Sequence, residues 1–198
     1  MPKSKEHTLT AITAFLDDLY GSAVLGVRDQ LEDYPDTGHL HRTNTKRQIT
    51  RDHIVDRLRV ALDGKEGIRI KDENQTTYFL LHQEYRILVK KSNEDGAVKL
   101  TKTQTSFDFQ ANEDQFAFVS EVIPDATNLY LGYVPNEQDP RNPSVVLVCP
   151  SERGSYWMHE LEPSAAFIAG EIGPSITPDT SHEEELVRIP ATPKSKAE

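Results

Sequence analysis

The sequence predicts an α+β fold in which N-terminal helices pack on a bent, mostly antiparallel β-sheet. Apolar residues recur at helical spacing up to residue 64, whereas short strand-like runs dominate after it. Because the helices precede the strands instead of alternating with them, a doubly wound α/β sheet is not expected. After residue 170 the chain becomes acidic and proline-rich. We therefore predict one domain over residues 1–170, helical over 1–64 and mainly β over 65–170, and a flexible tail over 171–198.

The first predicted helix has apolar residues at spacings of three and four, which places them on one helix face. These residues are Leu9, Ile12, Phe15, Leu16 and Leu19. Gly21 and Ser22 either end this helix or lie inside a longer one that continues to Leu31. The turn-forming residues 34–38 then end the helical region.

The second predicted helix begins at Thr50, because a threonine hydroxyl is suited to N-capping. Ile49 and Ile54 occupy the two positions of a hydrophobic staple, and Gly64 is a typical helix-ending residue. The buried face is expected to consist of Ile54, Val55, Leu58, Ala61 and Leu62. Residues 36–48 carry few large apolar side chains, so we expect an exposed loop before this helix.

Seven later segments favour β-strands, because they alternate or form short apolar runs between turn-forming residues. They are residues 68–71, 76–82, 85–90, 98–105, 129–134, 145–149 and 156–161. The second and third of these segments form the expected central pair. Residues 107–121 are ambiguous and favour a short helix over 113–119, and one or two helical turns are expected over 163–169.

The composition indicates a protein of a reducing compartment without a membrane span. No stretch approaches the roughly 20 apolar residues of a spanning helix, and the charged N-terminus lacks the apolar core of a signal peptide. The single cysteine, Cys149, excludes an intrachain disulfide and favours the cytoplasm. His39, His41 and His53 resemble metal ligands, but they fall short of the set that a structural zinc site requires. We therefore expect no metal and no cofactor.

The formal net charge of −10 disfavours general binding to nucleic-acid phosphates, which requires clustered Lys and Arg. The charge is uneven, however, because residues 39–59 contain six Lys or Arg and only two acids. The candidate nucleic-acid contacts in this segment are Arg42, Lys46, Arg47, Arg51 and Arg59. No aromatic residue lies among them, so base stacking is not indicated.

No segment carries a recognisable catalytic motif. The sequence has no glycine-rich phosphate loop, nucleophile elbow or dinucleotide-binding fingerprint. Cys149 follows an apolar run, which is typical of a buried and unreactive thiol. Glu84-Tyr85-Arg86 resembles the acid-x-Lys element of restriction-type nucleases only in part, because arginine does not readily release a proton. Catalytic residues are therefore unknown, and the sequence leans away from an enzyme.

Aromatic residues on the strands are candidates for contact with a protein partner. Neighbouring residues of a strand face opposite sides of the sheet, so of Tyr156 and Trp157 one is expected to be buried and the other exposed. Tyr130 lies between Leu129 and Leu131 and therefore faces away from both. Since exposed aromatics often anchor interfaces, we predict Tyr130, Tyr156 and Trp157 as partner-binding residues.

Three segments of the β region occur in an order that is also found in other proteins. They are residues 103–110 (TQTSFDFQ), 128–134 (NLYLGYV) and 145–161 (VVLVCPSERGSYWMHEL). Over residues 50–161 this order resembles a group of uncharacterised bacterial and phage proteins. Such proteins are typically encoded beside an Xre-type regulator or an ImmA/IrrE-type zinc metallopeptidase, and some of the pairs look like toxin–antitoxin modules. The resemblance supplies no catalytic residue.

These features together favour a protein that acts through contact with a cognate protein partner. The leading hypothesis is a toxin-like component of a mobile-element pair, neutralised by its partner. One alternative is a nucleic-acid-processing enzyme or nucleic-acid-binding regulator that uses residues 39–59, although the net charge disfavours nucleic acid. The other alternative is a regulator that binds a small ligand in the bent sheet.

Overall fold

The computed structural model of the protein describes residues 2–73, 76–95, 97–98, 104–112, 126–152 and 154–170. The helices in these ranges are α1 (Lys5–Ala11), α2 (Leu16–Asp33), α3 (Thr43–Leu62), α4 (Gln104–Ala111) and α5 (Ala165–Ile168), with 3-10 turns at Thr13–Phe15 and Gly38–Leu40. The strands are β1 (Ile68–Glu73), β2 (Thr76–Leu81), β3 (Tyr85–Lys91), β4 (Thr127–Val134), β5 (Ser144–Ser151) and β6 (Gly154–Leu161).

The six strands form one sheet in the order β1–β2–β3–β4–β5–β6. Four neighbouring pairs are antiparallel, whereas β3 and β4 are parallel, with Ile87 beside Leu129. A hairpin cannot join parallel strands, so the connection from β3 to β4 crosses a face of the sheet. The structure confirms the predicted α+β class, with N-terminal helices and a mostly antiparallel sheet.

Helices α1, α2 and α3 cover one face of the sheet and form the larger hydrophobic core with it. Leu19 of α2 and Ile54 of α3 are fully buried, as are Phe79 and Leu131 of the strands that they cover. Burial of such a side chain contributes about 1.5–3 kcal/mol relative to exposure, so this layer supplies most of the driving force for folding. α2 and α3 approach closely at Gly26, where an added Cβ would lie 2.6 Å from the backbone of Ile54.

Helix α4 packs on the opposite face and forms a smaller core there. Its Phe109 contacts Tyr78 and Tyr130, with ring centroids 6.1 and 5.0 Å away. After the helix, Asn112 Nδ2 donates to Asn128 O at 2.9 Å, and Asn112 Oδ1 accepts from Asn128 N at 2.8 Å. One side-chain amide thus satisfies two buried backbone groups of β4 and fixes the end of α4 against the sheet.

The N-terminal segment ties three strands together. The backbone of Lys3 accepts a hydrogen bond from Trp157 Nε1 and donates one to Thr127 Oγ1, both at 3.1 Å. The Lys3 ammonium also pairs with Glu84. Ser4 then caps α1, because its hydroxyl accepts a backbone hydrogen bond from the first turn. The segment therefore contacts the residue before β3, the start of β4 and the middle of β6.

The second helix begins earlier than its sequence indicates. The prediction that Thr50 caps this helix is wrong, because α3 begins at Thr43. Thr50 lies inside α3, and its Oγ1 donates to Lys46 O at 2.8 Å, a bond that helix interiors also allow. The expected exposed loop over 36–48 is accordingly a 3-10 turn followed by the first turns of α3.

Other boundaries also differ from the expectation. Gly21 lies inside α2, so the longer of the two predicted first helices is present, interrupted by a 3-10 turn. The strand predicted over 98–105 is wrong at its end, because α4 begins at Gln104. The helix predicted over 113–119 and the flexible tail predicted over 171–198 lie outside the described residues.

The close crossing at Gly26 predicts a strong response to a single methyl group. Gly26→Ala should lower the free energy of unfolding by roughly 1–3 kcal/mol, because the new Cβ meets helix backbone that cannot move aside. Gly21→Ala is the matched control in the same helix. Its Cβ would lie 3.3 Å from the Phe167 ring, a side chain that can shift. Urea denaturation followed by circular dichroism measures both, and equal losses would contradict the argument.

Candidate anion-binding groove

A groove of about 670 Å³ lies between the first half of α3 and the end of β3. Four cationic side chains line it, Arg47 and Arg51 from α3 and Lys90 and Lys91 from β3. Within the described part of the chain, no Asp or Glu belongs to its lining. This volume is typical of ligand-binding clefts. Concentrated positive charge in an otherwise acidic protein makes the groove the candidate functional site.

Helix α3 contributes one wall because of the spacing of its polar residues. Asn44, Arg47, Gln48 and Arg51 recur at intervals of three and four, so they share one helix face. The fully buried apolar residues of α3, which include Leu58, come only after this polar half. The first turns of the helix therefore provide a polar wall instead of core.

Strand β3 contributes the opposite wall at the point where its apolar run ends. Burial lowers the pKa of Lys90 below its usual value of 10.5, and the nearby charge of Arg51 lowers it further. Burial and the charge of Arg47 lower the pKa of Lys91 in the same way. Each lysine is therefore partly dehydrated and near a like charge, and a bound anion would relieve this repulsion.

Several donors in the groove lack a partner. Within the described residues, Arg47, Lys90 and Lys91 form no ion pair, and Arg51 pairs only with the adjacent, exposed Asp52. The buried atoms Arg47 Nε and Ser92 Oγ have no hydrogen-bond partner in that part of the chain, and Ser92 is only 4% exposed. Buried unsatisfied polar groups cost free energy, which the oxygens of an anionic ligand would recover.

The groove includes two of the five predicted nucleic-acid contacts. Arg47 and Arg51 line it, whereas Arg42 and Lys46 do not. Arg59 lies further along α3, where it forms an ion pair with Asp72 and also donates to Thr77 Oγ1. These contacts direct Arg59 away from the groove and towards β1 and β2.

Lys90, Lys91 and Ser92 are groove residues that the sequence reasoning missed. The sequence predicts a central strand over 85–90 because apolar residues dominate this segment, and this pattern gives Lys90 no binding role. A usable signal was present, since two consecutive lysines at the end of a central strand serve no packing purpose. The pairing of these lysines with α3, however, depends on the tertiary fold.

The predicted partner contacts separate into buried and exposed residues. Tyr130 is 2% exposed and packs against Phe109, so the prediction that it forms a surface contact is wrong. Both faces of β4 are covered, and facing away from Leu129 therefore does not mean facing solvent. Tyr156 is 52% exposed, whereas Trp157 is half-buried against the main core, as neighbouring strand positions require.

Cys149 has the character of a packing residue. It is fully buried, and burial raises the pKa of its thiol to about 12. The thiol therefore stays protonated at neutral pH and is a poor nucleophile. Among the described residues, no three or more His, Cys, Asp or Glu side chains are grouped as a metal site would require.

Comparisons with known proteins leave the family open. No protein-family model, curated protein or solved structure matches the chain. The resemblance to toxin–antitoxin-like pairs therefore stays a prediction. In the part of the chain that the structure describes, no helix combines the length and apolarity needed to cross a membrane.

Charge crowding predicts that Lys90→Met stabilises the ligand-free protein. We expect a rise in Tm of about 2–4 °C, which corresponds to roughly 1 kcal/mol for a chain of this size. The pKa of Lys90 is lower in the folded protein than the usual 10.5, which the unfolded chain keeps. At pH values between these two pKa values, the unfolded chain therefore binds more protons than the folded protein. The stability of the native protein therefore rises with pH in this window, and the advantage of the variant shrinks.

Thermal unfolding between pH 7 and pH 10 measures this effect. Arg69→Met is the control, because it removes one positive charge from an exposed position of β1. A lower Tm for Lys90→Met than for this control at pH 7 would contradict the argument.

Proposed function

We propose that the protein binds a phosphate-bearing ligand in the groove between α3 and β3. The observation that carries this proposal is the convergence of Arg47, Arg51, Lys90 and Lys91 without a lining carboxylate among the described residues. Arg binds phosphate through paired N–H groups, and Lys adds a compact charge. The proposal is closest to the two sequence-based alternatives, a nucleic-acid-binding protein or a ligand-binding regulator.

The net charge of −10 is compatible with this function because the groove is a local feature. Exposed charges separated by more than about 8–10 Å are largely screened at physiological salt, so the distant acids weaken the local field little. They do slow the approach of a highly charged ligand at low salt. The function supported is therefore selective binding at one site and not general adhesion to polyanions.

Inorganic pyrophosphate tests the proposal. Isothermal titration calorimetry should detect binding to the native protein that weakens as salt rises. Arg47→Gln and Arg51→Gln should each weaken binding about tenfold or more, because each removes a charge-assisted hydrogen bond worth roughly 1.5–3 kcal/mol. Arg69→Gln carries the same charge change on exposed β1 and should bind normally. Absence of binding at low salt, or equal weakening by all three variants, would refute a phosphate site here.

A second candidate function is the toxin-like role with a protein partner, and β6 is the surface that favours it. Tyr156 and Met158 are 52% and 37% exposed on this edge strand. The other edge, β1, carries the charges of Arg69 and Lys71, a common protection against strand pairing. Strand β6 has neither Lys, Arg nor Pro, and Glu160 is its one charged residue, so it carries less of this protection than β1.

Expression in cells tests this second function. The protein alone should slow growth, and its neighbouring gene product should restore growth and co-purify with it. Tyr156→Ala should weaken that complex without lowering Tm, since the ring is exposed and anchors contact. Phe107→Ala is the control, because Phe107 is an aromatic residue of α4 with 50% exposure. Normal growth at high expression, with no complex recovered, would rule out the toxin-like role.

A further inference from the structure

Three of the four cations that line the groove lie on the same side of the sheet. Val89 belongs to the core that α3 covers, and alternation along β3 places Lys91 on that same face. Lys91 also lies beside Tyr133 of β4, another member of this core. Arg47 and Arg51 reach the groove from α3. These three cations are therefore the ones that a phosphate between α3 and β3 would meet.

Amide side chains line the groove beside these cations. Asn44 and Gln48 lie one helical turn apart on α3, next to the row that its two arginines form. Both amides are exposed and form no side-chain hydrogen bond within the described part of the chain. On the facing wall, Asn93 Oδ1 accepts from Ala97 N at 2.7 Å, which leaves the N–H groups of this amide to donate elsewhere. The groove therefore offers hydrogen bonds to an uncharged part of a ligand as well as to its phosphate.

The amides indicate what this uncharged part contains. An amide side chain both donates and accepts hydrogen bonds, and so does a hydroxyl group, so the two are matched partners. Within the described residues, the lining has no aromatic ring on which a nucleobase could stack. The volume of about 670 Å³ suits one small molecule. A small ligand with several hydroxyl groups and no aromatic ring therefore fits the groove best.

Resting on the proposed function, we infer that the groove binds a phosphorylated sugar. Its phosphate contacts the cations of the α3 side, which are Arg47, Arg51 and Lys91. Its hydroxyl groups hydrogen-bond with the amides of both walls, which are Asn44, Gln48 and Asn93.

A small ligand also agrees with the charge of the whole protein. A nucleic-acid strand extends beyond a single groove, so its outer phosphates would meet the surface of a protein with a net charge of −10. A sugar with one phosphate places its whole charge among the groove cations. The groove therefore favours the small ligand over the polymer.

Isothermal titration calorimetry with the native protein tests the ligand class. The probes are inorganic phosphate, ribose 5-phosphate, glucose 6-phosphate and AMP, all at the same pH and salt concentration. At least one of the two sugar phosphates should bind about tenfold or more tightly than inorganic phosphate, because each added hydrogen bond strengthens binding roughly two- to tenfold. AMP is ribose 5-phosphate with a base attached. It should bind no more tightly than ribose 5-phosphate, because the described lining has no ring on which its base could stack.

Two kinds of variant separate the sugar contacts from the phosphate contacts. Asn44→Leu and Gln48→Leu should each weaken binding of the sugar phosphate about fivefold and leave binding of inorganic phosphate unchanged, because each removes hydrogen bonds to hydroxyl groups alone. Arg47→Gln should weaken binding of both ligands by the same factor. Gln138→Leu is the matched control, because it removes an exposed amide outside the groove and should change neither affinity.

The outcomes distinguish this inference from the proposed function. If inorganic phosphate or pyrophosphate binds but neither sugar phosphate binds more tightly, the phosphate site stands and the sugar is wrong. The sugar is also wrong if AMP binds more tightly than ribose 5-phosphate, which would indicate a nucleotide, or if the amide variants weaken binding of inorganic phosphate as much as that of the sugar phosphate. If none of these ligands binds the folded native protein, both proposals are wrong.

Discussion

The parallel pairing of β3 with β4 determines how the rest of the chain is arranged. Every other pair of neighbours is antiparallel, but this one requires a connection that crosses the sheet. The crossing places α4 on the face opposite α1, α2 and α3, so the central strands are covered on both sides. This double burial explains why β4 and β5 are almost continuously apolar and do not alternate. Asn112 completes the crossing by satisfying the backbone of Asn128.

The same topology creates the groove. The chain leaves β3 at this point to begin the crossing, and the residues that follow the strand line the groove together with α3. Lys90 and Lys91 lie at that point, and the polar first half of α3 faces them. Folding alone would favour neutral residues here, since crowded cations in a partly dehydrated cleft are costly. Their presence is easier to explain by a ligand than by stability.

The fold class could be predicted because it depends on local patterns, with helical periodicity first and short apolar runs afterwards. The start of α3 could not, since the hydroxyl of Thr50 is equally suited to capping a helix and to bonding a carbonyl inside one. Because the predicted helix starts at Thr50, the sequence prediction does not place Arg47 on the polar face of α3. Half of the candidate site was predicted from residues 39–59. The other half required knowing that Lys91 and Arg47 line the same groove, a tertiary arrangement that spacing along the chain does not encode.

The hydrogen bond from the indole of Trp157 to the backbone of Lys3 has a practical consequence. Trp157 is the single tryptophan of the chain, so the tryptophan fluorescence of the protein comes from this one side chain. Trp157 lies where the N-terminal segment contacts the edge strand β6. Detachment of the segment would expose the ring to water and shift its emission to longer wavelength. The protein therefore carries a native optical reporter of whether its first residues are docked.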